Sequence, residues 1–352
     1  MQAANISFIS LGLVVLDEIR FPNRTPLTDI LGGSGTYATL GARLFLPPPS
    51  SPTVGWVINV GSDFPDPVKE QLESWKTTLC IRERVDVPST RGLLEYKDTT
   101  FGPKDFRYTT PVLAVQEDSL KHTNLLASCA FHYLASPEDL KVRVSKLLLL
   151  QAEAGIHERP LIIWEPAPLS CRPENLEACL EAAALVDVLS PNHLELAKLF
   201  SEPQSDVIDK TKVEELAFKC LDRGIGPDGS GTVIVRAGEN GCFISDRKGL
   251  STRLDPFYTT KPGEMPNAKI VDPTGAGNAF LGSYAVGYLK TGSVVEAACY
   301  GSVGASFALE QVGVPLLSVQ VNEESWNGVK VLSRLEEYMA RQNCGQGATR
   351  IL

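Results

Sequence analysis

The sequence predicts an α/β protein built on a central, mainly parallel sheet that helices cover on both faces. Two observations predict this class. Short runs rich in Val, Ile and Leu alternate with helical segments along the chain. Several of these runs are also apolar at nearly every position, as expected of parallel strands covered on both sides. The predicted strands span residues 6–16, 53–60, 129–135, 160–164, 185–189, 232–236 and 242–245.

The helices between these strands have recognisable starts. Ser136 followed by Pro137 opens one helix, because a serine cap and a proline in the first turn are typical of helix starts. A second helix opens at Pro173 and runs to about residue 185. Two stretches rich in small residues and an amphipathic C-terminal stretch are the remaining predicted helices, at 279–289, 294–309 and 323–341.

One segment differs from both patterns. In residues 90–111, Leu, Tyr and Phe alternate with charged residues around two glycines, which predicts an exposed antiparallel hairpin. Together with residues 18–31, this segment is interpreted as a lid. The whole chain, 1–352, is then one domain, since its length suits one large α/β domain better than several small modules.

Composition excludes several classes of function. The 352 residues include 33 Lys and Arg against 42 Asp and Glu, so the formal net charge of −9 excludes a basic nucleic-acid binder. The 8 cysteines show no C-x-x-C pair and no metal-ligand spacing with the 4 histidines, so we expect reduced thiols. The apolar stretch 6–16 is too short to span a bilayer. We therefore expect a cytoplasmic protein without a membrane or nucleic-acid partner.

The most informative segment is a glycine-rich turn before a helix, within residues 271–282. Gly275, Ala276 and Gly277 let the backbone turn tightly ahead of a helix predicted to start near Asn278. The first amides of a helix have no partners within the helix and lie at its positive end, so such a turn can hold a phosphate. The alternative is that the glycines only permit close packing. The rest of the chain favours the phosphate site.

Six motifs, in order along nearly the whole chain, resemble the PfkB or ribokinase-like carbohydrate kinases. They are Gly12 with Asp17, Gly32-Gly33 ahead of the helix that ends at 41–44, the turn 60–64, Asn192 and Glu195 as N-x-x-E, the turn Arg236 to Gly241, and 272–278 against D-T-x-G-A-G-D. The resemblance implies a mainly parallel sheet with a small β lid. It also implies transfer of a phosphoryl group from ATP, with Mg²⁺, to a hydroxyl of a sugar, nucleoside or related small molecule.

The resemblance also implies roles for individual residues. On the acceptor side, Asp17 binds the substrate hydroxyls beside Gly33 and Tyr37. Gly275, Ala276 and Gly277 form the anion hole, and Asn278 contacts the acceptor. The remaining implied roles are nucleotide binding by Gly238, Gly241 and Asn192, magnesium binding by Glu195, and a monovalent-cation site at Asp272. A monomer and a homodimer both remain open.

The chain departs from the family pattern at two of these positions. Asn278 stands where the signature has the aspartate that accepts the hydroxyl proton, and Tyr37 stands where many relatives have a substrate-binding asparagine. General-base help is worth about 10² to 10⁴ in rate, so the change at 278 weakens an ordinary sugar kinase. Either the protein is an inactive, nucleotide- or metabolite-responsive relative, or its acceptor is already ionised. The segment 273–278 resembles a fungal branch of the family.

Other interpretations remain open at several positions. Asp17 also suits a turn at a strand end, and Asn192 with Glu195 also suits a helix cap. Glu165 follows a buried strand and either touches magnesium or substrate or belongs only to a stiff strand exit. On the lid, Arg91 and Arg107 either pair with an anionic acceptor or are merely solvated.

Overall fold

The structure is a computed structural model that describes residues 5–98, 104–203, 208–260, 267–321 and 323–342. Its strands are β1 Phe8–Ser10, β2 Val15–Arg20, β3 Leu27–Gly32, β4 Val54–Gly61, β5 Thr78–Arg84, β6 Arg91–Tyr96, β7 Lys104–Tyr108, β8 Ala130–Ala135, β9 Leu161–Pro166, β10 Val188–Leu189, β11 Thr232–Arg236, β12 Cys242–Asp246, β13 Ser251–Leu254, β14 Leu317–Gln320 and β15 Glu323–Trp326. Its helices are α1 Ser34–Leu44, α2 Asp66–Ser74, α3 Pro137–Glu153, α4 Leu176–Ala183, α5 His193–Leu199, α6 Lys210–Arg223, α7 Ala276–Thr291, α8 Val294–Leu309 and α9 Val331–Arg341.

The described residues form a large central sheet in the order β13-β12-β11-β10-β9-β8-β1-β4-β5. The seven strands from β11 to β5 in this order pair in parallel, and β12 pairs antiparallel with both of its neighbours, β11 and β13. The predicted α/β class with a mainly parallel sheet is therefore confirmed. In parallel sheets of this kind, ligands bind beyond the carboxyl ends of the strands.

Helices bury both faces of this sheet in two apolar clusters. One contains Trp56 and Ile58 of β4 with residues of α1, α7, α8 and α9. The other contains the intervening Val57 with residues of α3, α4, α5 and α6. Because successive side chains of a strand point to opposite faces, the parallel strands contribute to both clusters. This explains why the strand sequences are apolar at nearly every position.

A smaller sheet with the order β3-β2-β6-β7 stands beside the large one. β2 pairs in parallel with β6, and β6 pairs antiparallel with β7, so the predicted antiparallel pairing is present. The prediction of an exposed hairpin holds for β7 but is wrong for β6, which is mostly buried because it pairs on both sides within the small sheet. Its own apolar cluster includes Phe21 and Tyr96, whose rings stack with centroids 4.8 Å apart. Residues 99–103 of the predicted lid segment lie outside the described residues. That this sheet covers a substrate stays a prediction.

Two predicted elements are wrong in their bounds. The run 6–16 divides into β1 and the start of β2, with Gly12 between them. The stretch 323–341 contains the strand β15 before the helix α9. Asn327 and Gly328 have φ of 51° and 73°, a left-handed backbone that breaks a right-handed helix. Trp326 is instead a core residue, and its ring packs edge-on against that of Trp75 with the ring centroids 6.1 Å apart.

Seven of the 8 cysteines lie in the described ranges, where Cys80, Cys129, Cys171, Cys179 and Cys220 are free thiols, and Cys344 lies outside those ranges. None of the helices in the described ranges is long and apolar enough to cross a membrane.

Candidate functional site

The predicted glycine turn opens α7 at Ala276, two residues before the predicted start. Gly275 caps the helix in a left-handed conformation with φ of 77°, and no acidic residue lies in the first turn. Tyr37 packs beneath the turn, since a Cβ at Gly275 would lie 2.1 Å from its ring. The Asp272 carboxylate accepts a hydrogen bond from the Thr274 amide at 2.9 Å and so shapes the approach. The first amides of α7 have no partner within the helix, although that of Ala276 donates to the Pro273 carbonyl at 3.3 Å. Such a helix start stabilises an anion.

Asn278, in the first turn of α7, touches a buried cluster of charged side chains. Its Nδ2 donates to Oε2 of Glu165 at 2.5 Å. Nη2 of Arg236 lies 2.8 Å from Oε1 of the same carboxylate and also donates to the Ser190 carbonyl at 2.9 Å. His132 Nε2 lies 3.6 Å from Glu165. These groups come from β8, β9, β11 and α7, which meet at the carboxyl edge of the sheet.

Arg236 also contacts the glycine turn itself. A Cβ at Gly277 would lie 2.0 Å from Nη1 of Arg236, so the guanidinium packs directly on the bare backbone of the turn. The same guanidinium lies 3.7 Å from Glu195. Burial raises the pKa of Glu165, but Arg236 and His132 more than offset this and leave it below its ordinary value. Burial, only partly offset by Arg236, raises the pKa of Glu195 to about 7.

Asn192 and Glu195 form a reciprocal cap at the start of α5. Oδ1 of Asn192 accepts from the Glu195 amide at 2.8 Å, and Oε2 of Glu195 accepts from the Asn192 amide at 2.7 Å. The helix-cap interpretation therefore describes their contacts. No group of three His, Cys, Asp or Glu side chains in the described ranges could hold a metal ion. Mg²⁺ retains several waters and needs few protein oxygens, so Glu195 beside the phosphate turn still fits it.

Asp17 lies on β2 between two glycines and is almost fully buried, with 6 % of its surface exposed. A Cβ at Gly32 would lie 2.0 Å from Oδ2 of Asp17, and one at Gly92 would lie 2.4 Å from Oδ1. Oδ1 has no hydrogen-bond partner among the described residues. Burial raises the pKa of Asp17 to about 7, against the lowering effect of Lys104. A buried acceptor without a donor is suited to receive a ligand hydroxyl.

Lys104, at the start of β7, connects the small sheet with the glycine turn. Its Nζ donates to the hydroxyl of Thr274 and, at 2.9 Å, to that of Tyr96. Burial lowers the pKa of Lys104, whereas the charges of Asp272 and Asp17 raise it. Two carboxylates, Asp17 and Asp272, thus face one ammonium group.

The remaining predicted glycines lie in turns near these groups. Gly33, with φ of 95°, caps α1 directly after Gly32. Gly238 and Gly241, with φ of 54° and 72°, form the turn that follows Arg236. A Cβ at Gly241 would lie 1.9 Å from the Leu254 carbonyl, so only glycine fits there. Arg236 and Asn192 are joined by an isolated parallel bridge, which places this turn beside the start of α5.

The two lid arginines are already paired with carboxylates. Arg91 lies 2.7 Å from Asp29 and 3.1 Å from Asp63. Arg107 lies 2.8 Å from Glu95. Neither side chain is therefore a free cation for an anionic acceptor.

Sequence reasoning assigned no role to Arg236 or Lys104 and left that of Glu165 open. A signal for two of them exists: Arg236 ends the apolar run Thr232–Arg236, and Glu165 follows four apolar residues of β9. A charged residue at the carboxyl end of a buried strand lies where ligands bind in an α/β sheet. For Lys104 we find no such signal, because its position depends on how the small sheet meets the turn.

Comparison with known sequences gives one family and several relatives. The model of the pfkB family carbohydrate kinases matches residues 30–319. An uncharacterized protein of Schizosaccharomyces pombe is 33% identical over 95% of this chain and 93% of its own length. Protein MAK32 of Saccharomyces cerevisiae is 28% identical, covering 95% and 92%. A cytidine kinase of Thermococcus kodakarensis is 24% identical, covering 88% and 98%.

Solved structures show the same fold at lower identity. Ribokinase from Giardia lamblia superposes with a TM-score of 0.69 at 15% identity, over 96% of this chain and 99% of that one. A putative ribokinase II of E. coli, in complex with ATP and Mg²⁺, gives a TM-score of 0.65 at 18% identity, over 96% and 99%. The fold is ribokinase-like.

Proposed function

The chain belongs to the pfkB family of carbohydrate kinases, and from this premise we propose that it transfers the γ-phosphoryl group of ATP to a hydroxyl of a small polar acceptor. The observation that carries the proposal is the place where the α7 turn meets the small sheet. The first amides of α7 and the Arg236 guanidinium lie at this turn. Lys104 donates to Thr274 of the turn and also faces the buried carboxylate of Asp17, whose Oδ1 has no partner among the described residues. A site for phosphate and a site for a hydroxyl thus adjoin each other.

In this proposal, the backbone amides of Gly275, Ala276 and Gly277 stabilise the moving phosphoryl group, since positioning and electrostatics supply most of phosphoryl-transfer catalysis. Asn192, Gly238 and Gly241 lie along the nucleotide. Glu195 would hold Mg²⁺ through water, and the ion would supply neutralisation of the phosphate charge. A monovalent cation near Asp272 belongs to the same proposal. Asp17, beside Gly33 and Tyr37, receives acceptor hydroxyls, and Asn278 contacts the acceptor without taking its proton.

The charges around Asp17 favour a neutral acceptor over an anionic one. Asp17 and Asp272 face one ammonium group, that of Lys104. Arg91 and Arg107, the candidate partners of an anion, are paired with carboxylates. A polyhydroxylated sugar, cyclitol or nucleoside donates hydroxyl protons to Asp17, and that carboxylate has a free oxygen to accept them. The hypothesis of an acceptor that is already ionised thus finds no support from Arg91 or Arg107.

A second candidate function is nucleotide binding without transfer, by an inactive relative of the kinases. The observation that favours it is Asn278, because an amide takes up no proton. The two candidates share nucleotide binding and differ in whether ADP is formed.

The test is titration of ATP with Mg²⁺ into the purified protein by calorimetry, with Gly277→Asp as the key variant. A carboxylate at 277 repels phosphate and collides with Arg236, so we expect at least a hundredfold loss of affinity. Leu289→Asp adds the same charge at the exposed far end of the same helix and should bind ATP like the wild type. Equal affinities in the two variants, or none in the wild type, would overturn the proposal. ADP formation with ribose, myo-inositol or cytidine then separates kinase from binding protein.

A further inference from the structure

The carboxylate of Glu165 lies beside Asn278, the position at which the family signature has an aspartate. Its Oε2 lies 2.5 Å from the side-chain amide of Asn278, the residue that stands where the family pattern has its proton-accepting aspartate. We propose that Glu165 is the general base of this enzyme, acting from β9 in place of a base on α7. The inference rests on the proposed kinase function and concerns the same site.

The hydrogen bond fixes which way the Asn278 amide points. Because Nδ2 donates to Glu165, Oδ1 is turned away and can accept the hydroxyl of an acceptor. Asn278 is only partly buried, whereas its partner Glu165 has 6 % of its surface exposed. A hydroxyl held at Asn278 is then within reach of Glu165, directly or through one water.

The proton and the electrons balance in a single displacement. The acceptor O–H bond breaks and its proton passes to a carboxylate oxygen of Glu165. The acceptor oxygen forms a bond to the γ-phosphorus, and the bond from that phosphorus to the bridging oxygen breaks, so ADP leaves with the electron pair. Glu165 then releases its proton to solvent.

The surrounding charges keep Glu165 ionised and ready to accept. Nη2 of Arg236 lies 2.8 Å from Oε1 of Glu165 and Nε2 of His132 lies 3.6 Å from Oε2, and both groups lower the pKa of Glu165. The same Nη2 lies 3.7 Å from Glu195. A weak base is sufficient, since in a loose transition state the attacking hydroxyl becomes strongly acidic only as the new bond to phosphorus forms.

Glu165→Gln tests the proposal because glutamine still accepts the bond from Asn278 but takes up no proton. With ribose, myo-inositol, cytidine and water as acceptors, ADP formation by Glu165→Gln should fall by about 10² to 10⁴ in kcat, with KM for ATP nearly unchanged. Asn278→Asp alone places two carboxylates in contact and should not increase kcat. The double variant Glu165→Gln/Asn278→Asp exchanges acid and amide and should regain activity.

A structural role for Glu165 predicts different results. If it only orients Asn278 or neutralises Arg236, Glu165→Gln retains kcat within a fewfold, and this outcome overturns the inference. Formate provides a second test: it should restore ADP formation to Glu165→Ala in proportion to its concentration, because a small anion replaces a missing base but not a missing packing contact. Failure of that rescue in a folded, ATP-binding variant also counts against the base. If the wild type neither binds ATP nor forms ADP, the proposed kinase function is wrong, and this result is distinct from a wrong assignment of the base.

Discussion

Asp17 combines deep burial with an unpartnered oxygen, a combination that costs folding free energy and is suited to ligand binding. Lys104 and Asp272 face it, and burial raises its pKa from 3.8 to about 7. The folded protein therefore holds a proton at this carboxyl in a pH range where the unfolded chain has lost it. Stability linked to Asp17 is fully present below pH 4 and decreases as pH rises toward and through 7. A ligand hydroxyl that donates to the ionised form reverses part of this cost.

Asp17→Asn should therefore flatten the pH dependence of stability. Between pH 5 and pH 8 we expect the free energy of unfolding of the wild type to fall by about 2 to 4 kcal/mol more than that of the variant. Urea denaturation at several pH values measures this difference. Asp63→Asn is the matched control, because bonds from Ser89 and Arg91 outweigh burial and lower the pKa of Asp63. Parallel profiles for the wild type and Asp17→Asn would contradict the assignment.

At the scale of elements, the contact of α1 with α7 sets the position of the glycine turn. A Cβ at Gly41 of α1 would lie 2.1 Å from the Ala279 carbonyl, and one at Gly282 of α7 would lie 1.8 Å from the Ala38 carbonyl. Each helix thus approaches the backbone of the other through a glycine. Because α1 begins after Gly33 and α7 begins after Gly275, this contact fixes the position of the glycine turn relative to the residues around Asp17, which are the proposed phosphate and acceptor sites.

Gly282→Ala should separate these helices and destabilise the protein. A methyl group here meets backbone rather than a movable side chain, and overpacking of this kind costs about 1 to 3 kcal/mol. We expect a lower melting temperature and, in folded protein, weaker ATP binding. Leu289→Ala, at an exposed position of the same helix, should change stability by less than about 0.5 kcal/mol. A neutral effect of Gly282→Ala would show that the contact can relax.

The parts of this site that can be predicted from sequence are those formed by residues close together in the chain. The glycine turn and the Asn192–Glu195 cap are local, so spacing along the chain reveals them. The contact of Asn278 with Glu165 spans 113 residues, and the contact of Arg236 with Gly277 depends on the order of strands in the sheet. The predicted helix at 323–341 was wrong for a different reason. Trp326 fits a helical spacing by chance, whereas it lies in the strand β15, which ends at two residues with left-handed backbone.

At the scale of the whole molecule, the Lys104 side chain connects the small sheet to the glycine turn that precedes α7. Lys104 of β7 donates to Thr274 and to Tyr96 of β6, and hydrogen bonds to charged groups contribute about 1.5 to 3 kcal/mol. Lys104→Met should therefore raise amide hydrogen exchange in β6 and β7 about tenfold or more, while exchange in the central strands β8 and β9 stays unchanged. Lys97→Met removes an exposed charge one residue after β6 and should leave all four strands as in the wild type. Unchanged exchange in Lys104→Met would mean that the small sheet holds its place through its apolar contacts alone, since Ile30 and Val312 also pack on its core.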